Sequence, residues 1–117
     1  MVRIKITDIG EMVPAFEEEK LLILFGQQVT AELLPICVVH EPVEIEKSPL
    51  KANGKIKINQ QEYHIQSIGD AANQNFDELG HISIYFRNEE TEVLPGAIVA
   101  SPEVFPSFSI GDFIDIY

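Results

Sequence analysis

The apolar residues of this chain fall into about eight short runs, each closed off by glycine, proline or asparagine. That punctuation restricts the chain to a fold of short strands and tight turns. Ile4 and Ile6 alternate with Arg3, Lys5 and Thr7, a period of two that buries one face of a strand ended by Gly10. Leu21 to Phe25 is continuously apolar up to Gly26 and reads as a strand buried on both faces. Ile36 to His40 is rich in β-branched residues and stops before Pro42, which ends its pairing or places it at an edge. Val43 to Glu46 reads as a further short, exposed strand. Asn53-Gly54 is a strong hairpin signal, and Gln60-Gln61 marks a second tight turn between Ile56, Ile58 and the run Tyr63 to Ile68. Ala97 to Ala100 and Phe113 to Tyr117 supply the last two strands.

One segment departs from this rhythm. From Gly69 to Phe86 the pattern reads strand end, turn, helix, turn, strand. Asp70 is a natural N-cap, its carboxylate placed to meet free helix amides. Ala72, Phe76 and Leu79 are spaced by four and three, so they share one helical face. Gly80 fits the left-handed position just past a helix. Ile82, Ile84 and Phe86 then return to a period of two. The remaining stretches are connecting segments. Glu11 to Lys20 is a loop or single helical turn with solvated charges, Gln27 to Leu34 a helical turn ended by Pro35, Arg87 to Glu92 a polar turn, and Ser101 to Ser109 a loop. The expected class is mainly all-β: a small barrel-like or sandwich domain of about eight short strands with one short helix. At 117 residues, a single domain over 1–117 is expected.

Charge narrows the function. Eight basic residues against 19 acidic ones give a formal charge of −11, whereas nucleic acids and anionic membranes require a basic face. Partners with positive patches suit this surface. The lone Cys37 excludes an internal disulfide and a cysteine-only zinc site. With neither a bilayer-length apolar run nor a signal-peptide pattern, a cytoplasmic location is the expectation.

The chemistry-bearing residues are His40, His64 and His81. No two are close in sequence, so no local metal motif exists, although a zinc site assembled in space is compatible with the spacing. His40 closes an apolar run before a proline, which places its ring at a strand end within reach of solvent. It is either a functional ring or a structural histidine bonded to a backbone carbonyl. His81 follows Gly80, where anchoring the helix-to-strand turn is favoured over chemistry. His64 alternates within a strand and reads as an ordinary face residue. Cys37 lies in an apolar strand and reads as inert core. Asp77 and Glu78 point about 100° apart on a helix, so they do not form an acid/base pair by themselves. Asn75 has poor propensity in mid-helix, which hints at a specific hydrogen bond. Serine-nucleophile and Walker phosphate-loop motifs are lacking.

The Gly69, Ala72, Asn75, Glu78-Leu79-Gly80-His81 and Phe86 pattern resembles the glucitol/sorbitol-specific IIA component of the bacterial phosphoenolpyruvate-dependent sugar phosphotransferase system. The Cys37 to His40 strand, the Pro95-Gly96 turn and the Gly111 turn before the last strand extend the likeness over nearly the whole chain. The resemblance implies a phosphocarrier. A histidine takes a phosphoryl group from the histidine-containing phosphocarrier protein and passes it to a cysteine of the IIB domain joined to the membrane permease. It places the accepting histidine on His40, with His81, Asn75 and Glu78 in support, and it implies no metal and no cofactor. Its partners are then the phosphocarrier protein and the IIB/IIC permease components, with membrane contact only through the permease. Short edge strands and the C-terminal strand also leave room for a homodimer. Glu41-Pro42 departs from the small or polar residues that follow the accepting histidine in the family, and adds a negative charge there. Phosphoryl transfer asks for a neutral imidazole nitrogen facing phosphorus, with the other nitrogen held by an acceptor such as Glu41, Glu78 or a backbone carbonyl. Asn75, His81 or backbone amides would then serve as donors to the phosphate oxygens. Two other classes compete: a non-catalytic regulatory or binding module with a structural His40, and a small metal-dependent enzyme.

Overall fold

In the computed structural model, which describes residues 1–89 and 91–117, the strands close into an eight-stranded barrel. They are β1 (Val2–Ile9), β2 (Leu21–Phe25), β3 (Val38–Glu44), β4 (Lys55–Ile58), β5 (Gln61–Ile68), β6 (Ile82–Phe86), β7 (Ala97–Ser101) and β8 (Phe113–Ile116). The order around the barrel is β1-β3-β2-β6-β7-β5-β4-β8. Two neighbour pairs, β2 with β3 and β6 with β7, are parallel, and the other six are antiparallel. Among the described residues the one α-helix, α1 (Ala72–Leu79), lies between β5 and β6. The mainly-β expectation therefore holds, as a mixed closed barrel rather than a sandwich. Closure pairs every strand with two neighbours, and the β2–β3 seam is short, covering only Val38 and Val39 of β3.

The barrel interior follows from the period of two. Ile4 and Ile6 of β1, Leu22 and Leu24 of β2, Ile56 and Ile58 of β4, Tyr63 and Ile65 of β5, Ile82, Ile84 and Phe86 of β6, and Ile114 and Ile116 of β8 form one buried cluster. Each fully buried side chain of this size is worth about 1.5–3 kcal/mol by removal of its apolar surface from water. The Tyr63 hydroxyl escapes burial without a partner by donating to the Val104 carbonyl at 2.6 Å. Leu21 and Ile23, on the outer face of β2, are only partly buried, so this strand is one-sided rather than buried on both faces.

Several local expectations are revised. Val43 and Glu44 continue β3 instead of starting a new strand, and Pro42 lies within it, opposite Ile4 of β1. The strand tolerates proline because β2 pairs only with Val38 and Val39, leaving the rest of that side unpaired. Pro35 sits inside a short 3-10 turn, Leu34–Ile36, rather than ending a helix. Asn53-Gly54 closes a turn onto Lys51 ahead of β4, and the two-residue hairpin instead joins β4 to β5 through Asn59 and Gln60. Asp70 does not cap α1. The N-cap is Ala71, because Gly69 and Ala71 donate their amides to Ala97 and Pro95 and fix the chain there before the helix begins. The Arg87 to Glu92 turn includes Glu90, which lies outside the described residues.

Candidate functional site

The site forms where α1 covers one mouth of the barrel. Gly80 ends the helix at φ +65°, and its amide bonds to the carbonyls of Asn75 and Phe76. A left-handed residue here turns the chain into β6 and directs the Gly80 carbonyl away from the helix. The Gly26 amide, just past β2, donates to the Leu79 carbonyl at 2.9 Å, tying the helix end to the barrel rim. On β3 Val38, Val39 and His40 are buried and Glu41 to Glu44 exposed, and His40 lies opposite Ile6 beside a register shift in β1.

His40 is thus not a strand-end ring. It sits in the middle of β3 and is only 4% exposed. Its Nε2 lies 2.8 Å from the Gly80 carbonyl oxygen. A carbonyl only accepts, so Nε2 carries the proton and Nδ1 holds the lone pair. Nδ1 is buried and has no hydrogen-bond partner among the described residues. The ring stacks near Phe76, with centroids 5.9 Å apart. Burial pushes the His40 pKa down from 6.5, and the Gly80 bond offsets that in part, so the ring is neutral at neutral pH.

Outside the ring opens a groove of about 270 Å³. Val2, Ile4, Pro42, Ile45, Phe76 and Leu79 supply its apolar walls, while Asp77 and Glu78 bring carboxylates to its rim. No lysine or arginine lines it among the described residues. The rim is apolar as well as acidic, with Ile45 80% exposed. Two side chains of α1 fix the segment that follows β3. Asn73 exchanges two 2.8 Å hydrogen bonds with the backbone of Leu50, and Asp77 accepts the Ser48 amide at 3.0 Å.

The other expected residues occupy different positions. Glu78 is at the groove, exposed, and accepts from Gln74 on its own helix at 3.3 Å. The His81 Nδ1–H donates to the Leu24 carbonyl at 3.1 Å, and its ring lies 4.6 Å from that of Phe25. That is the turn-anchoring arrangement, outside the groove lining. Asn75 is half-buried on the side of α1 that meets Gly96, again away from the lining. His64 is exposed on the far strand β5, and Cys37 is fully buried. Among the described residues no three His, Cys, Asp or Glu gather in an arrangement able to hold a metal. No helix there is long and apolar enough to cross a membrane.

Gln27 is a site residue that sequence reasoning did not single out. Its amide donates to both the His40 carbonyl at 2.9 Å and the Thr7 hydroxyl at 3.0 Å, joining the β2 end to β3 and β1. The nearest signal was its place directly after Gly26, which by itself says only "turn". Gln28, exposed, also lines the groove.

The pattern of the family described as PTS system glucitol/sorbitol-specific IIA component matches residues 1–115. The PTS system glucitol/sorbitol-specific EIIA components of Shigella flexneri and Escherichia coli (strain K12) are each 30% identical over 98 residues, covering 83% of this chain and 79% of theirs. The crystal structure of a PTS system IIA component from Enterococcus faecalis V583 superposes with a TM-score of 0.84 at 26% identity, covering 97% of both chains. With the match running almost end to end and the barrel shared, the chain belongs to the glucitol/sorbitol-specific IIA component family of the phosphotransferase system.

Proposed function

We propose that residues 1–117 act as one IIA domain, in which His40 takes a phosphoryl group from the histidine-containing phosphocarrier protein. The group then passes to the IIB domain of a sugar-alcohol permease of the glucitol/sorbitol type. One observation carries this reading: a neutral histidine facing an apolar groove, with one ring nitrogen held by a backbone carbonyl and the other unpartnered. A buried imidazole without a second hydrogen bond is costly to keep, by about 1–3 kcal/mol, and such groups call for an explanation. A nucleophile awaiting an electrophile supplies one.

Phosphoryl transfer demands positioning and charge stabilisation more than covalent chemistry from the protein. Gly80 and Gln27 hold the ring and backbone of His40, and the apolar walls exclude water from a labile N–P bond. Because the lining carries Asp77 and Glu78 and no cation, the partner supplies the positive charge that the phosphate needs. The acidic rim steers such a partner. Glu78 belongs to that rim in this reading, whereas His81 and Asn75 act through the turn that presents Gly80. Contact with the membrane would be indirect, through the permease.

The burial of His40 gives some weight to a second reading, a binding module with a structural histidine. Incubation with phosphoenolpyruvate, enzyme I and the phosphocarrier protein, followed by intact mass, separates the two. One acid-labile phosphoryl adduct on wild type and His81→Gln, absent from His40→Gln, is expected. No adduct on wild type, with an active control IIA in the same tube, favours the binding module.

A further inference from the structure

We propose that the side chain of Gln27 is the positioning residue for phosphoryl transfer at His40. It holds the His40 main chain in the place of a strand amide, and so leaves the groove beside the ring open. The inference rests on the phosphocarrier reading and goes beyond it by assigning what sets the place of the accepting residue.

The barrel contains an internal two-fold. Exchanging β1–β4 with β5–β8 leaves the strand order unchanged. In one half Ile9, Asp8 and Ile6 pair with Val38, Val39 and His40; in the other Ile68, Ser67 and Ile65 pair with Ile98, Val99 and Ala100. Each run skips one bulged residue, Thr7 or Gln66. The Gly10 and Gly69 amides donate to the Cys37 and Ala97 carbonyls at 2.9 and 2.8 Å, and the Gly26 and Phe86 amides to Leu79 and Lys20 at 2.9 and 3.0 Å. His40 thus has Ala100 as its counterpart, and Gln27 has Arg87.

The halves differ at this point. β6 pairs with β7 as far as Ala100, and the Arg87 amide donates to the Ala100 carbonyl at 2.9 Å. β2 pairs with β3 only as far as Val39, one residue short of His40. The chain turns away after Gly26, and the Val29 amide closes that turn on the Gly26 carbonyl at 3.2 Å. The His40 carbonyl still needs a donor. The Gln27 side-chain amide supplies it at 2.9 Å and reaches the Thr7 hydroxyl at 3.0 Å. Thr7, the bulged residue, donates in turn to the Val39 carbonyl at 3.3 Å. These bonds join β1, β3 and the end of β2 at His40. Were the main chain of residue 27 to make the bond, as Arg87 does, β2 would run on alongside His40 where Gly26, Gln27 and Gln28 now form the groove wall. The anchor grips the main chain alone, so it sets where the ring stands and engages neither ring nitrogen. Transfer depends on that placement, since an error near 1 Å costs about 10²-fold.

The test follows single-turnover phosphoryl uptake by the full chain from the phosphorylated phosphocarrier protein, over a range of donor concentrations. Gln27→Met keeps the side-chain length and removes both donors. The maximal rate is expected to fall about 10- to 100-fold with the half-saturating donor concentration unchanged. In the same variant the His40 ring N–H signal in NMR should shift or broaden, while amides remote from the groove stay in place. Arg87→Ala, whose strand bond is made by the main chain, is expected to keep the wild-type rate. A wild-type maximal rate in Gln27→Met overturns this proposal alone. So does a change confined to the half-saturating concentration, which makes Gln27 a docking residue, or an unfolded variant, which makes it a residue of the barrel. No adduct on His40 of the wild-type chain overturns the phosphocarrier site as well.

Discussion

Replacing Gly80 by alanine tests the packing on which the site depends. The new methyl would sit 2.7 Å from His40 Cε1, 2.9 Å from Nε2 and 3.0 Å from the Gly26 Cα. To reach ordinary contact at 3.4 Å the ring must retreat by at least about 0.7 Å, within a close-packed mouth. Overpacking of this kind costs about 1–3 kcal/mol. The left-handed backbone adds about 1–2 kcal/mol for any residue with a Cβ. Loss of the Nε2 bond to Gly80 adds roughly 0.5–1.5 kcal/mol more. The expected total is about 2.5–6.5 kcal/mol, a large share of the roughly 5–15 kcal/mol that holds such a domain together. Gly111→Ala is the internal control. Its φ is +98°, at least as strained, but an added Cβ there meets nothing within 4 Å. Urea unfolding should therefore show a midpoint loss for Gly80→Ala of about 1.5–3 M, several times that of the control after allowing for backbone strain. In a His40→Ala background the ring is gone, so the cost of Gly80→Ala should fall toward the backbone strain of about 1–2 kcal/mol plus the remaining 3.0 Å approach to the Gly26 Cα. Equal costs for the two glycines, or an unchanged cost without the ring, would refute the proposed contact.

Other outcomes follow from the same structure. Asn73→Ala strands both the amide and the carbonyl of Leu50, and should cost about 1–3 kcal/mol in thermal or urea unfolding. Asp70→Ala should change stability by no more than about 0.5 kcal/mol, since Ala71 and not Asp70 caps the helix. Folding holds the His40 pKa below 6.5, so the unfolded chain binds a proton more readily. Through His40, stability should then fall as pH drops below about 6.5 toward the folded-state pKa, by at most about 1.4 kcal/mol per pH unit, and should be flat above. Urea midpoints across that range, compared with His40→Gln, isolate the contribution; a slope of opposite sign would contradict the burial.

Much of the barrel was legible because a half-buried strand writes its face into alternate residues, as Ile56 and Ile58 or Ile82, Ile84 and Phe86 do. Gly80 was legible too, since a helix end before a strand calls for a left-handed residue. Pairing was not. The parallel contacts of β2 with β3 and of β6 with β7 join strands whose local patterns are the same in either direction. Proline misled at Pro42, where the strand survives because one side has no partner. Asp70 misled because Pro95 and Ala97, distant in sequence, had already taken the amides around it. The site itself was half legible. His40 stood out by type and position. Its burial, its bond to Gly80 and the Gln27 bridge arise only when three strands and the helix end meet.

Fragmentation of the phosphorylated chain, kept at alkaline pH to preserve an N–P bond, places the phosphoryl group on a residue and is the most direct test. The phosphocarrier account predicts the added mass on the peptide holding Val38, Val39 and His40, with His64 and His81 unmodified. Modification of His81 or His64 instead, or a stable phosphoester on a hydroxyl, would contradict it.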